Sequence, residues 1–221
     1  MIVSWKWRLD AQRMSKYESG PSYAKTVIVI FLLSLVVVSS SIWLNTPPLG
    51  NEYFSLSTLG PGFTAENYYP TNQSVINLRE VVNWNVEVYN HMNSVQYVSV
   101  RLLIINSSEE APNGTSGTPS PYPPLFEFRQ AINDNQTWNL SLIWSIANAS
   151  FEQGRVFLYD VKANNLFASN VNAQAIGGRN FRIIIELWRY DTQTNQFLYT
   201  WNSGGQVRSV WNEIWFNMTN P

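Results

Sequence analysis

The chain has no cysteine and a single histidine, His91. Without cysteine there is no disulfide, no thiolate metal site and no thiol nucleophile. One imidazole leaves little from which to build a metal cluster or a catalytic triad. Charge is sparse as well: Asp, Glu, Lys and Arg make up 13% of the 221 residues, and the formal net charge is −1. That balance does not attract nucleic acid, so no nucleic-acid partner is expected. HExxH, P-loop, GxGxxG and Gly-x-Ser-x-Gly patterns are missing from the chain, which removes the common metalloprotease, nucleotide and hydrolase signatures.

What is present is unevenly distributed. Residues 1–25 hold Lys6, Arg8, Arg13, Lys16 and Lys25 against Asp10 and Glu18, whereas residues 46–221 hold nine basic and thirteen acidic side chains. Between them runs an uncharged stretch, residues 26–44, TVIVIFLLSLVVVSSSIWL. As a helix rising 1.5 Å per residue it nearly matches a hydrocarbon core of about 30 Å. In lipid a single segment can pair its own backbone only as a helix. The reading is therefore a basic cytoplasmic segment at 1–25, a transmembrane helix at 26–44 and a linker at 45–51. With the basic residues on the N-terminal side, residues 52–221 are expected outside the cell membrane. The small residues Ser39-Ser40-Ser41 raise the rival reading of a cleaved signal peptide, but the long hydrophobic run favours a retained anchor. A pilin-type leader is a third reading, although no basic residue followed by Gly or Ala precedes the run.

Beyond Pro47-Pro48 the hydrophobic period falls to two, the mark of half-buried strands. Trp84, Val86 and Val88 share one face, as do Val98, Val100, Leu102 and Ile104. The polar residues 90–94 between these runs read as a hairpin connection. Residues 138–146 alternate from Trp138 to Ile146, and Phe181, Ile183, Ile185 and Leu187 alternate again. Further strands are read at Leu198 with Thr200 and at Val210 with Ile214. Seven to nine such strands without a second helix predict an all-β fold, an immunoglobulin-like β-sandwich. The stretch 106–124, NSSEEAPNGTSGTPSPYPP, is rich in Pro, Gly, Ser and Thr and reads as a long projecting, mobile loop. Residues 60–73, GPGFTAENYYPTNQ, read as a crossover in which Gly60 and Gly62 supply unusual backbone angles.

Several short motifs recur in one family. Leu59-Gly60 is followed by Tyr69-Pro70-Thr71-Asn72 and then by Val88-Tyr89-Asn90-His91. Farther on come FRIIIELWR at 181–189 and an aromatic strand at 197–201. In these motifs, across residues 52–217, the chain resembles an archaeal membrane-anchored β-sandwich family known only as a domain of unknown function. The resemblance implies an extracytoplasmic sandwich on a membrane anchor and brings no catalytic residues. The loop at 106–124 departs from the family pattern.

Individual side chains offer few chemical candidates. His91 is read as exposed or bonded to backbone. The carboxylates Glu66, Glu87, Asp160 and Glu186 could form a glycosidase pair, but Glu87 and Glu186 alternate with apolar residues and are read as solvated strand positions. Asn133-Asp134-Asn135 lacks the spacing of a calcium loop. No cofactor and no metal site are expected. Trp188, Trp201, Trp211 and Trp215 are candidates for partner contact or for sugar stacking, and Tyr68 and Tyr69 for partner contact, since aromatics are enriched at interfaces. Asn72, Asn106, Asn113, Asn135, Asn139, Asn148 and Asn217 each begin an Asn-x-Ser/Thr sequon, and all lie beyond the hydrophobic run, where glycosylation could reach them. Asn113 and Asn139 rank first. The functional expectation is a single-pass, non-enzymatic binding or structural protein, an accessory subunit of a membrane or surface complex. Its expected partners are membrane lipid and protein. The alternatives are a protein that binds or acts on surface glycans and a pilin-like filament subunit.

Overall fold

A computed structural model describes residues 23–45 and 52–218. The chain divides into two compact units, Met1–Gly50 and Asn51–Pro221. In the first, helix α1 spans Tyr23–Asn45. The basic segment before it and the linker residues 46–51 lie outside the described residues. Every side chain described on α1, residues 26–39, is uncharged and exposed, and apolar residues occur on all sides, leaving no polar stripe. Ser34 and Ser39 turn their hydroxyls back onto Phe31 O and Val36 O. Among the described residues no helix is long and apolar enough to cross a membrane; the side chains that complete the run at 40–44 lie outside them.

The second unit is two facing sheets. The first contains β1 (Tyr53–Leu59), β3 (Val82–His91), β6 (Gln136–Glu152), β7 (Arg155–Ala163) and β8 (Leu166–Ile176), in the order β1-β3-β6-β7-β8. The second contains β2 (Val75–Ile76), β13 (Trp211–Met218), β9 (Phe181–Asp191), β4 (Gln96–Asn106) and β5 (Phe126–Ile132), in the order β2-β13-β9-β4-β5. β10 (Gln196–Leu198) pairs with the end of β9 beyond β13. Between β10 and β13 the chain makes a small hairpin of β11 (Trp201–Ser203) and β12 (Gln206–Arg208). The ladders are antiparallel except β2 with β13, which is parallel.

Period-two patterning sets which side chains meet between the sheets. β3 turns Val82, Trp84, Val86 and Val88 inward, and β9 turns Phe181, Ile183, Ile185 and Leu187 inward; all are buried. At the centre, Trp84 meets Trp144 edge-on at 5.1 Å, Trp144 meets Phe216 at 5.6 Å, and Phe216 stacks on Phe181 at 5.2 Å. This aromatic chain crosses from one sheet to the other. Such contacts add to the large apolar area each ring removes from water.

The architecture corrects four expectations. Residues 90–94 are not a hairpin, because β3 and β4 lie in different sheets. Asn90 makes the passage between layers, fully buried, donating Nδ2 to Ser94 O and Ile132 O and accepting from Met92 N. A buried amide so fully bonded holds the bend without a desolvation cost. The strands number thirteen among the described residues, more than the seven to nine expected. β7 and β8 escaped notice because β8 is poor in large apolar residues, and Asn170 and Asn172, with φ of 58° and 57°, break its alternation. In the stretch 60–73, Gly60 is required by space, since a Cβ there would strike Glu66 O. The positive φ angles fall instead on Phe63, Asn67 and Asn72. Finally, the loop at 106–124 does not project; it lies across the outer face of the second sheet.

Candidate functional site

The outer face of the second sheet is built by register. On β9 the residues between the core positions are Arg182, Ile184, Glu186, Trp188 and Tyr190. Across the ladders Arg182 faces Ile105 and Trp215, Ile184 faces Leu103 and Glu213, and Glu186 faces Arg101 and Trp211. Trp188 faces Ser99, Arg101 faces Glu127, and Tyr190 faces Phe197. One end of this face is covered and the other is open.

The cover is residues 107–124, hereafter the strap. Arg182, itself buried, donates from Nη2 to Asn106 O at 3.0 Å and to Glu109 O, and from Nη1 to Glu213 Oε2 at 3.2 Å. Its guanidinium lies 5.1 Å from the Trp215 ring centre. Farther along, Glu186 Oε1 accepts from Ser120 N at 2.7 Å and Oε2 from Trp188 Nε1 at 2.8 Å, with the residue 2% exposed. Burial pushes this carboxyl above its ordinary range, against the two hydrogen bonds and the charge of Arg101. Between these polar anchors Leu103, Ile105 and Ile184 form a small second apolar cluster with Trp211 packed against it. The strap's own turn closes through Asn113 and Thr118, at 2.8 and 3.0 Å. Gly117 needs to be glycine there twice over, for its φ of 67° and because a Cβ would meet Thr200 Cγ2 at 2.7 Å.

The open end carries rings and arginines. Tyr97, Tyr190 and Phe197 form a triangle with centroids 5.9, 5.4 and 5.3 Å apart. Arg129 lies 4.7 Å over Phe197, and Arg101 lies 3.9 Å over Trp188, both within cation–π range. Glu127 joins the two cations, at 3.3 Å from Arg101 and 2.9 Å from Arg129, and accepts from Ser99 Oγ at 2.7 Å. Burial raises its carboxyl, but the bonds from Arg129 and Ser99 and the charges of both arginines outweigh that and set it at about 2. Glu127 is thus ionised and paired, and Glu186 is enclosed. Protein donors engage both carboxyls. Tyr97 is 42% exposed, and Arg129 47% on its side chain.

The residues named from sequence scatter. Tyr69 is a core residue, its hydroxyl donating to Trp215 O at 2.6 Å, and Trp201 is buried edge-on against Phe54 at 5.1 Å. Neither is free for a partner. Burial also raises the phenol pKa of Tyr69. Tyr68 is half-buried, donating to Thr58 O and receiving Trp84 Nε1 on its carbonyl. Trp188, Trp211 and Trp215 do share the outer face, but Trp211 packs against the satellite cluster and only Trp215, 41% exposed, is open. Glu186 points off the core as expected, yet it is enclosed rather than solvated. Glu66 is exposed, and Glu87 and Asp160 are half-buried on the first sheet.

His91 bonds to a side chain: its Nδ1 lies 2.7 Å from Asn135 Oδ1, which also accepts from Tyr89 Oη at 3.0 Å. Among the described residues no group of three or more His, Asp or Glu is arranged to hold a metal. The stretch 60–73 borders an open cavity of about 370 Å³ lined by Pro61, Asn67, Tyr68, Pro70, Asn72 and Val81, with no carboxylate or cation among them. Sequence reasoning missed Tyr97, Arg101, Glu127, Arg129, Tyr190 and Phe197. The signal was the other half of the alternation, the residues between Val98, Val100 and Leu102.

No family model matches the chain, and no curated protein matches it. Among solved structures it is similar to the CARDB domain of a Pyrococcus furiosus protein in complex with di-metal ions. That likeness has 10% identity and a TM-score of 0.35, covering 79% of this chain and 99% of that one. It is also similar to a β-glucosidase from Listeria innocua in complex with isofagomine, at 10% identity and a TM-score of 0.34, covering 76% of this chain and 16% of the enzyme. Likenesses at these scores carry no argument about ligands or activity.

Proposed function

We propose that the chain is a membrane-anchored protein whose extracytoplasmic, immunoglobulin-like sandwich docks a protein partner through the open end of the second sheet. The observation that carries this is the triangle of exposed Tyr97 with half-buried Tyr190 and Phe197, and Arg129 laid on it. Tyrosine, phenylalanine and arginine are the side chains that concentrate at interface centres, where rigid rings contribute area at little entropic cost. Sugar stacking is less well served: the rings incline 63°, 50° and 67° to one another, presenting edges instead of one flat shelf.

The anchor reading rests on the uncharged run at 26–44 and on the basic residues that precede it. The immunoglobulin-like reading rests on strand order, with β1, β3 and β6 adjacent in one sheet and β13, β9 and β4 adjacent in the other. The β7–β8 hairpin is then an addition at the edge of the first sheet.

The test is native mass measurement of the full-length chain extracted from its membranes in mild detergent. The expected result is a complex with a second protein, lost in the Tyr97→Ala/Arg129→Glu variant. A monodisperse chain with nothing bound would overturn the proposal. Protease added to intact cells should degrade residues 52–221, and protection of that unit would refute the orientation.

A further inference from the structure

We infer that the fold divides the seven sequons into two groups, with Asn72, Asn113 and Asn139 carrying N-linked glycans and Asn106, Asn135, Asn148 and Asn217 withheld. The inference rests on the extracytoplasmic placement of the sandwich proposed above. Glycosylation joins asparagine Nδ2 to the anomeric carbon of a sugar supplied on a polyprenyl-phosphate carrier by a membrane transferase. The sugar's C1–O bond breaks, the carrier phosphate leaves, and one amide proton passes to a base of the transferase. To react, the amide must give up its conjugation and turn. It can do so only where the residue is exposed and its Nδ2 is not already bonded to the protein.

Four sequon asparagines are held. Asn106 is half-buried, donates Nδ2 to Gln174 O at 3.0 Å, and accepts on Oδ1 from the amide and hydroxyl of Ser108, its own sequon serine. Asn135 gives Nδ2 to Asp134 Oδ2 at 2.7 Å while Oδ1 takes Tyr89 Oη and His91 Nδ1. Asn148 sits at a register shift between β6 and β7 and donates Nδ2 to Asp160 Oδ2 at 3.1 Å. Asn217 is half-buried in β13, with Oδ1 accepting from Asn180 N at 2.8 Å.

The other three are exposed, and none gives its Nδ2 to a protein group. Asn72 is exposed at a turn with φ of 53°, where only its backbone N–H is bonded, to Tyr69 O. Asn113 is exposed at the strap's turn; its Oδ1 accepts from Thr115 N and Ser116 N, and its Nδ2 donates to no protein group. Asn139 is exposed opposite Glu87 on the outer face of the first sheet, and its side chain bonds to no protein group. Beyond residue 143 β6 gains β7 as a second neighbour, but at Asn139 β3 is its ladder partner.

The experiment is site-by-site occupancy by peptide mass spectrometry on the full-length chain made in cells that N-glycosylate. A Val95→Thr variant completes a reporter sequon on Asn93, which is exposed with no side-chain bond. The expected pattern is high occupancy at Asn72, Asn113 and Asn139 and at the reporter, with at least tenfold lower occupancy at the other four. Occupancy of Asn106, Asn135, Asn148 or Asn217 equal to that of Asn139 overturns the selection while leaving the topology intact. Absence of glycan at all seven and at the reporter overturns both. Absence at all seven with a modified reporter overturns the selection alone.

Discussion

The two sheets turn very different outer faces to their surroundings. On the first sheet the residues between core positions, such as Asn83, Glu87, Asn139 and Lys162, are exposed or half-buried and most carry polar groups. On the second, Arg182 and Glu186 occupy equivalent off-core positions and are buried under the strap. The same alternation therefore produces a solvated surface in one sheet and a second, polar-anchored packing layer in the other. What differs is the covering segment. A strand pattern says which side chains leave the core, and only the rest of the chain decides what they meet.

The largest test of that contrast is Arg182→Ala. It strips hydrogen bonds from Asn106 O and Glu109 O and leaves Glu213 without its cation, and should cost about 3 kcal/mol in urea unfolding. Lys162→Ala, on the open face of the first sheet, should stay within about 0.5 kcal/mol. Equal losses would erase the distinction. Next in size is Glu186→Ala, expected to cost about 2 kcal/mol by orphaning Ser120 N and Trp188 Nε1, whereas Glu87→Ala should be nearly silent.

Acidity separates two carboxyls within the second face. Burial raises that of Glu186, so the folded chain holds its proton more tightly than the unfolded chain. Its contribution is complete below the usual value of 4.5 and is lost as pH rises through the native value. Glu127 is lowered from 4.5 to about 2, so its contribution is complete above 4.5 and is lost as pH falls toward 2. Unfolding midpoints measured across pH should show Glu186→Gln removing a decline on the upper side and Glu127→Gln removing one on the acid side. Parallel effects of the two variants would contradict the assignment. The smallest effect is that of Ser120→Pro, which deletes the amide that reaches Glu186 and should cost about 1 kcal/mol, less than Glu186→Ala, while speeding nicking within 107–124 by limited proteolysis.

How much of this was legible in sequence follows from the same contrast. Trp84, Val86 and Val88 announced their inward face because the residues between them are polar. The run FRIIIELWR announced a strand but not its two-sided burial, since Ile184 among Arg182 and Glu186 reads equally well as solvated. The strap was misjudged because Pro, Gly and Ser describe a chain without regular structure, and such a chain can still be pinned by an arginine and a glutamate far away in sequence. Hairpin and crossover were confused at 90–94 because a short polar connection is compatible with both, and the burial of Asn90 is a tertiary fact. The ring triangle at Tyr97, Tyr190 and Phe197 joins three strands, and no local window contains it.

The functional claim is that the partner meets the second sheet's open end and not the first sheet. A photo-crosslinking amino acid placed at Tyr97 in one variant and at Glu87 in another tests it in intact membranes. The account predicts a discrete crosslinked protein from position 97 and none from position 87. Crosslinking from position 87 with none from position 97 would contradict it.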